Sequence, residues 1–168
     1  MKKYYPDLPT LPDLYPNNST ETQIVKNRLR NITPQEKYMF QLSDLGLEKI
    51  FASLAQKNTQ DIQDLLQNTI NPHILSIKDE INRARPYQFD QWIKDNRLPS
   101  DTVHTPAFPA GHTMQSLFLA KILSREYPKK SQLFHDVAEA IGQSRIAAGH
   151  HFPSDHEYGK WLINYLFT

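Results

Sequence analysis

The sequence predicts an all-α fold, a single-domain bundle of roughly six to eight helices. Three observations lead there. Apolar residues recur at helical spacing along most of the chain. The joints between those segments carry helix caps and prolines. Glycine is scarce, at 5 of 168 residues, and β-branched residues are also few, which argues against a sheet. The length suits one domain with one core.

Residues 5–17 contain Pro6, Pro9, Pro12 and Pro16, which fix φ and withhold backbone donors. Residues 1–18 are therefore expected to form an extended proline-rich strap ahead of a helical domain over 19–168. Ser19 and Thr20 look like caps of a first helix, with Ile24, Val25, Leu29 and Ile32 along one side. Thr33-Pro34 restarts a helix in which Tyr38, Leu42 and Leu45 form a stripe, and Gly46 breaks it. Further helices are read over 47–55, 59–66 and 72–84, with Asn58 and Asn71-Pro72 at the joints. Pro99, Pro106, Pro109 and Gly111 make 96–111 mostly loop. Helices over 113–127, 131–148 and 154–167 complete the chain, with Trp161, Leu162, Tyr165 and Leu166 expected to dock the last one.

A net charge of +1, from 19 basic and 18 acidic residues, gives no electrostatic footprint for a nucleic-acid partner. The absence of cysteine excludes disulfides, thiolate metal sites and a cysteine nucleophile. The longest apolar runs are far too short for a membrane span, and the mean hydropathy is -0.62, so a soluble protein is expected. Met1-Lys2-Lys3 leads into Tyr4-Tyr5-Pro6, not into an apolar stretch, so no signal peptide is read. As it stands the chain is expected to be cytoplasmic, or periplasmic or secreted if a leader was removed.

Three clusters could hold an anion. In Lys78-x6-Arg85-Pro86 a seven-residue step turns a helix by roughly 700°, so both cations would project from one side about 10 Å apart and could grip one anion. Arg83, about 140° from Lys78 on the same count, is expected to face solvent. The alternative is an exposed basic face. In Pro109-Ala110-Gly111-His112, glycine lets the backbone approach a ligand, and the helix N-terminus that follows offers free N–H groups to a phosphate. A lone histidine at a helix start is more often a cap or a surface residue.

The third cluster is Ser144-Arg145-x5-His151-x3-Asp155. Gly149 should end the preceding helix, and Ser154 with Glu157 resembles a capping box for the last. Asp155 would sit in a first helical turn, where the dipole favours its ionised form. A carboxylate there can hold one histidine nitrogen and leave the other free as a nucleophile.

Together, Lys78-x6-Arg85-Pro86, Pro109-Ala110-Gly111-His112 and Ser144-Arg145-x5-His151-x3-Asp155 resemble the three-part signature of the phosphatidic acid phosphatase type 2 superfamily. That superfamily includes membrane lipid phosphatases, soluble class A non-specific acid phosphatases and vanadium-dependent haloperoxidases, all built on a helical bundle. Residues 141–151 look most like the class A enzymes, and the motifs span 78–155; the likeness of the first 77 residues is only general. The resemblance implies a metal-independent phosphomonoesterase acting on a small phosphorylated substrate, and it allows a homodimer. It implies His151 as nucleophile through a phosphohistidine, His112 as general acid and base, and Asp155 as the residue orienting His151. Lys78, Arg85, Arg145 and the Gly111 amide would hold the phosphate oxygens.

No cofactor is implied, and vanadate is expected to inhibit. In the alternative, a vanadium-dependent haloperoxidase, vanadate would occupy the same pocket as cofactor. The sequence departs from the family at Ala110, where a serine is usual, so one hydroxyl donor is missing; Thr113 or a water could stand in for it. A metal-dependent phosphohydrolase built from His135-Asp136, His150-His151 and Asp155-His156 lacks an evident third ligand at helical spacing and leaves the cations without a role. His73, His104 and His156 read as surface or loop residues, and His150 as a residue of the pocket entrance.

Overall fold

The computed structural model describes residues 16–167. Most of the expected strap lies outside the described residues, and Asn18, its last residue, already belongs to the first helix. Ten α-helices follow in chain order: α1 (Asn18–Arg30), α2 (Pro34–Asp44), α3 (Leu47–Ala55), α4 (Thr59–Asn68), α5 (Asn71–Ile81), α6 (Pro86–Phe89), α7 (Gln91–Asn96), α8 (Gly111–Glu126), α9 (Ser131–Ala147) and α10 (Pro153–Leu166). No strand occurs among the described residues, so the all-α expectation holds.

α8 and α9 form a helical hairpin joined through a single 3-10 turn at Pro128–Lys130, and the other helices pack around it. The main core fills the space between α8, α9 and α10 with Phe118, Leu119, Phe134, Ile141, Leu162 and Ile163, and α3 closes it with Phe51. A second, smaller core of Val25, Leu29, Ile93, Ile146 and Phe152 ties α1 and α7 to the end of α9 and to the segment between α9 and α10. Burying these side chains is the dominant stabilising term.

Local chemistry explains most boundaries. Thr33 caps α2 in a reciprocal capping box with Glu36, and Pro34 occupies the first turn. Gly46 adopts φ +140, a conformation that side chains rarely take, and separates α2 from α3. Asn58 caps α4. Asn17, not Ser19 or Thr20, caps α1 by accepting the Ser19 N–H at 2.7 Å.

Several expectations are corrected. The helix expected over 72–84 stops at Ile81, where Asn82 turns left-handed with φ 48. Arg85 is extended at φ -83 and ψ 159, as the residue before a proline prefers. Lys78 and Arg85 therefore do not share a helix face. The stripe of Tyr38, Leu42 and Leu45 does not face the core either: Tyr38 and Leu45 are exposed, whereas Phe40 and Ser43 are buried. On α1 it is Val25 and Leu29 that are buried and Ile24 that faces out, and on α10 Leu162 is buried while Trp161 and Tyr165 are exposed. The short α6 and α7 fall in a stretch whose sequence carries too few turns to show a period.

Candidate active site

The segment 148–155 brings the third cluster together. α9 ends at Ala147, and Gly149 at φ +89 reverses the chain, so that His150, His151 and Phe152 cross to the start of α10. Asp155 lies in the first turn of α10 and caps that helix itself, Oδ2 accepting the Phe152 N–H at 2.7 Å. The expected box of Ser154 and Glu157 does not form: Glu157 is exposed, and Ser154 bonds to Glu21. Asp155 Oδ2 also lies 3.3 Å from His151 Nδ1. A carboxylate only accepts, so the Nδ1 proton is the one engaged, and Nε2 keeps its lone pair. Arg85 Nη1 stands 3.2 Å from that nitrogen.

Electrostatics reinforce this arrangement. Burial, then the charges of Arg85, Lys78 and Arg145, hold His151 well below the ordinary histidine range, so the ring is neutral. Burial pushes the Asp155 carboxyl up to about 6, against the pull of Arg83 and the Phe152 N–H.

The three candidate phosphate-holding cations converge from separate segments and are all buried. Lys78 Nζ donates to the Pro106 carbonyl. Arg85 donates to the carbonyls of Thr105 at 2.9 Å and His150 at 3.0 Å. Arg145 pairs with Asp44 at 2.8 Å and lies over the Phe40 ring, while its buried Nε has no partner among the described residues. Only Arg145 of the three has a carboxylate at ion-pair distance among those residues. Lys78, bonded to a carbonyl, and Arg85, bonded to two carbonyls and set beside His151 Nε2, are thus buried basic groups without a carboxylate partner among the described residues, which makes the site strongly attractive to an anion. Their own acidity records the crowding: burial first, then Arg85 and Arg145, lower Lys78 to about 7, and burial lowers Arg85 to about 10.

Gly111 and His112 open α8 beside this cluster. A Cβ on Gly111 would sit 3.6 Å from Ile74 and from the Lys78 side chain, and the Gly111 N–H belongs to the first turn, where helices leave donors unpaired. His112 lines an open cavity together with Lys78 and Gly111, and burial followed by the Arg145 charge holds its ring well below the usual range, while a hydrogen bond to the Ser43 backbone favours the charged form. Ala110, the N-cap of α8, offers no side-chain cap, and its N–H donates to the Asp155 carbonyl at 3.0 Å.

All seven site residues of the sequence reading therefore gather at one place. Several neighbours do not behave as expected. Arg83 is buried, with Nη1 2.7 Å from Asp155 and Nη2 2.7 Å from Glu21; once α5 ends at Ile81, its angular position relative to Lys78 has no meaning. Thr113 is buried and bonded to His156 at 2.8 Å, so it does not replace the missing serine hydroxyl. His156 is a buried residue held by Thr113 and Glu139. His150 is buried and stacked on Phe40, its ring bonded to the Leu98 carbonyl, and it does not line the entrance. Among the described residues no group of three or more His, Asp or Glu side chains could hold a metal ion.

Asp44, Glu21 and the Ser43 backbone were missed. A faint signal existed for Asp44, an acidic residue in the last turn of a helix, where the dipole disfavours it.

The chain matches the family model of the PAP2 superfamily over residues 64–168. It is 26% identical over 143 residues to a non-specific acid phosphatase of Salmonella typhi, covering 77% of this chain and 57% of that protein. It is 28% identical over 107 residues to the non-specific acid phosphatase of Providencia stuartii, covering 61% of this chain and 43% of that protein. The chain thus spans about half the length of these curated relatives. Its fold is similar to that of a transmembrane PAP2-type phosphatidylglycerolphosphate phosphatase from Bacillus subtilis, with a TM-score of 0.60 at 22% identity over 89% of this chain and 81% of that one. No helix among the described residues is long and apolar enough to cross a membrane. With the family match extending over more than half of its length and taking in His112, His151, Asp155, Lys78, Arg85 and Arg145, the chain belongs to the PAP2 superfamily.

Proposed function

We propose that this chain is a phosphatase that hydrolyses phosphomonoesters through a phosphohistidine at His151. One observation carries the proposal: the His151 Nε2 lone pair faces the Arg85 guanidinium, while Nδ1 is held by Asp155, inside a buried cluster of cations short of anionic partners. The acid phosphatase relatives support the same activity.

In this reading the phosphoryl group lies among Lys78, Arg85, Arg145 and the Gly111 amide, which spread its charge without a metal. His151 Nε2 forms the bond to phosphorus as the ester P–O bond breaks, and His112 gives a proton to the departing alkoxide. His112 is neutral in the free protein, so the proton it needs arrives with the monoanionic substrate, whose charge also offsets the cations that disfavour a charged ring. Neutral His112 then takes a proton from water, the hydroxide attacks phosphorus and the N–P bond breaks. Asp155 keeps the His151 tautomer throughout. Vanadate, a trigonal-bipyramidal mimic of the transferring group, should inhibit competitively.

The test is hydrolysis of p-nitrophenyl phosphate by the full chain with a chelator present. Wild-type protein should turn it over, and His151→Ala should lower kcat by about 10³-fold or more. Wild-type rates in His151→Ala would exclude the proposed nucleophile.

A further inference from the structure

The cavity that exposes Lys78, Gly111 and His112 has a volume of about 420 Å³, more than a phosphoryl group fills and typical of a site for a small organic ligand. Its outer part is built by residues that the chemistry at phosphorus does not use. Gln63 and Gln67 stand one turn apart on α4, Asn71 opens α5, and Gln115 lies one turn beyond Gly111 on α8. Glu48 adds a carboxylate from α3, and Leu45 and Leu75 form an apolar rim.

These polar groups are mostly uncommitted. Gln115 Nε2 donates to Asn71 Oδ1 at 2.8 Å, which leaves the Gln115 carbonyl and the Asn71 amino group for a ligand. The side chains of Gln63, Gln67 and Glu48 have no hydrogen-bond partner among the described residues. Four amides and one carboxylate offer mixed donors and acceptors, which is what alcohol hydroxyls, donors and acceptors at once, require.

Other leaving groups fit worse. No Phe, Tyr or Trp is among the described residues lining the cavity, and its one imidazole, His112, is engaged at the reacting bond, so a nucleobase would find no broad stacking platform. Among the described residues Lys78 is the only Lys or Arg in that lining, and Glu48, with no ion-pair partner there, sets negative charge beside the leaving group, against a second phosphate; Asp44 is already paired with Arg145.

Resting on the phosphatase reading, we propose that the leaving group this site selects is a neutral polyol or sugar. Sugar and polyol monophosphates are then preferred over nucleotides and bisphosphorylated esters, with Gln63, Gln67, Asn71 and Gln115 reading hydroxyls and Glu48 repelling a second anion.

The experiment compares kcat/KM of the full chain for glucose 6-phosphate, adenosine monophosphate, fructose 1,6-bisphosphate and p-nitrophenyl phosphate, and repeats it with Gln63→Ala, Gln67→Ala and Glu48→Gln. Glucose 6-phosphate should exceed adenosine monophosphate by about tenfold or more. Each glutamine variant should lower the ratio of glucose 6-phosphate to p-nitrophenyl phosphate by about threefold to tenfold, a ratio that is insensitive to loss of folded protein. Glu48→Gln should raise the ratio of the bisphosphate to glucose 6-phosphate by about twofold to fivefold. Equal values for the sugar phosphate and the nucleotide, or ratios that none of the variants moves, would overturn the inference while leaving the phosphatase reading intact. Failure to hydrolyse any of the four esters would overturn both.

Discussion

Arg83 Nη1 lies 2.7 Å from Asp155 Oδ1, and the same guanidinium reaches Glu21 at 2.7 Å, joining α1, the segment after α5 and α10 in one buried charge network. Arg83 thereby holds the residue that holds His151. Truncating one partner of such a network leaves buried carboxylates unpaired. Arg83→Met is expected to lower stability by about 3–5 kcal/mol, read by denaturant unfolding. It should also raise the pH below which activity is lost, because the Arg83 charge is what restrains the Asp155 carboxyl. An unshifted acid limb would show that Arg83 does not act on Asp155.

Ala110→Ser tests the departure from the family pattern. Position 110 is the N-cap of α8 and has no side-chain cap, so the serine hydroxyl can bond the first turn and raise stability by about 0.5–2 kcal/mol. If it turns instead to a bound phosphoryl group, kcat should rise by on the order of tenfold. A gain in melting temperature without a gain in kcat would assign the hydroxyl to the cap, and no gain in either would contradict this account of Ala110.

Lys78 sets the expected pH dependence. With its ammonium lowered to about 7 by burial and by Arg85 and Arg145, it is charged below that pH and neutral above it. A neutral Lys78 offers less to an anion, so kcat/KM should fall as pH rises through about 7. Lys78→Arg keeps the charge, since even buried Arg85 is lowered only to about 10, and the alkaline limb should move upward. An alkaline limb at the same pH in both proteins would assign it to another group.

Gly142 makes room for a hydrogen-bonded chain that joins α8, α9 and α10 beside His112. Thr113 Oγ1 lies 2.8 Å from His156 Nδ1, and His156 Nε2 lies 3.0 Å from Glu139. A Cβ at Gly142 would stand 2.3 Å from the His156 ring, which two hydrogen bonds hold in place. Gly142→Ala should therefore cost about 1–3 kcal/mol of stability, measured by denaturant unfolding. An unchanged unfolding midpoint would show that the ring moves freely.

The helical class and most boundaries were legible because they depend on local chemistry: Thr33-Pro34, Gly46, Asn58 and Gly149 act within a few residues of themselves. The site residues were legible through their joint spacing, yet the reason for the convergence of Lys78 and Arg85 was not. They meet because Arg85-Pro86 forces the chain out of the helix, and the loop carbonyls of Thr105 and Pro106 receive both cations. Arg83, Glu21 and Asp44 were illegible as site residues because each acts through a partner distant in sequence. Tyr38 and Leu45 misled because Phe40 and Ser43, beneath Arg145 and His112, claim the inward face of α2.

The central claim is that His151 Nε2 bonds to phosphorus. Rapid acid-free quenching of the full chain during turnover of a radiolabelled phosphomonoester tests it most directly. The expected result is a phosphoryl label on the peptide containing His151, stable in alkali and released in acid, and absent from His151→Ala. Continued turnover by the wild-type chain with no label trapped, or with the label on another residue, would contradict it.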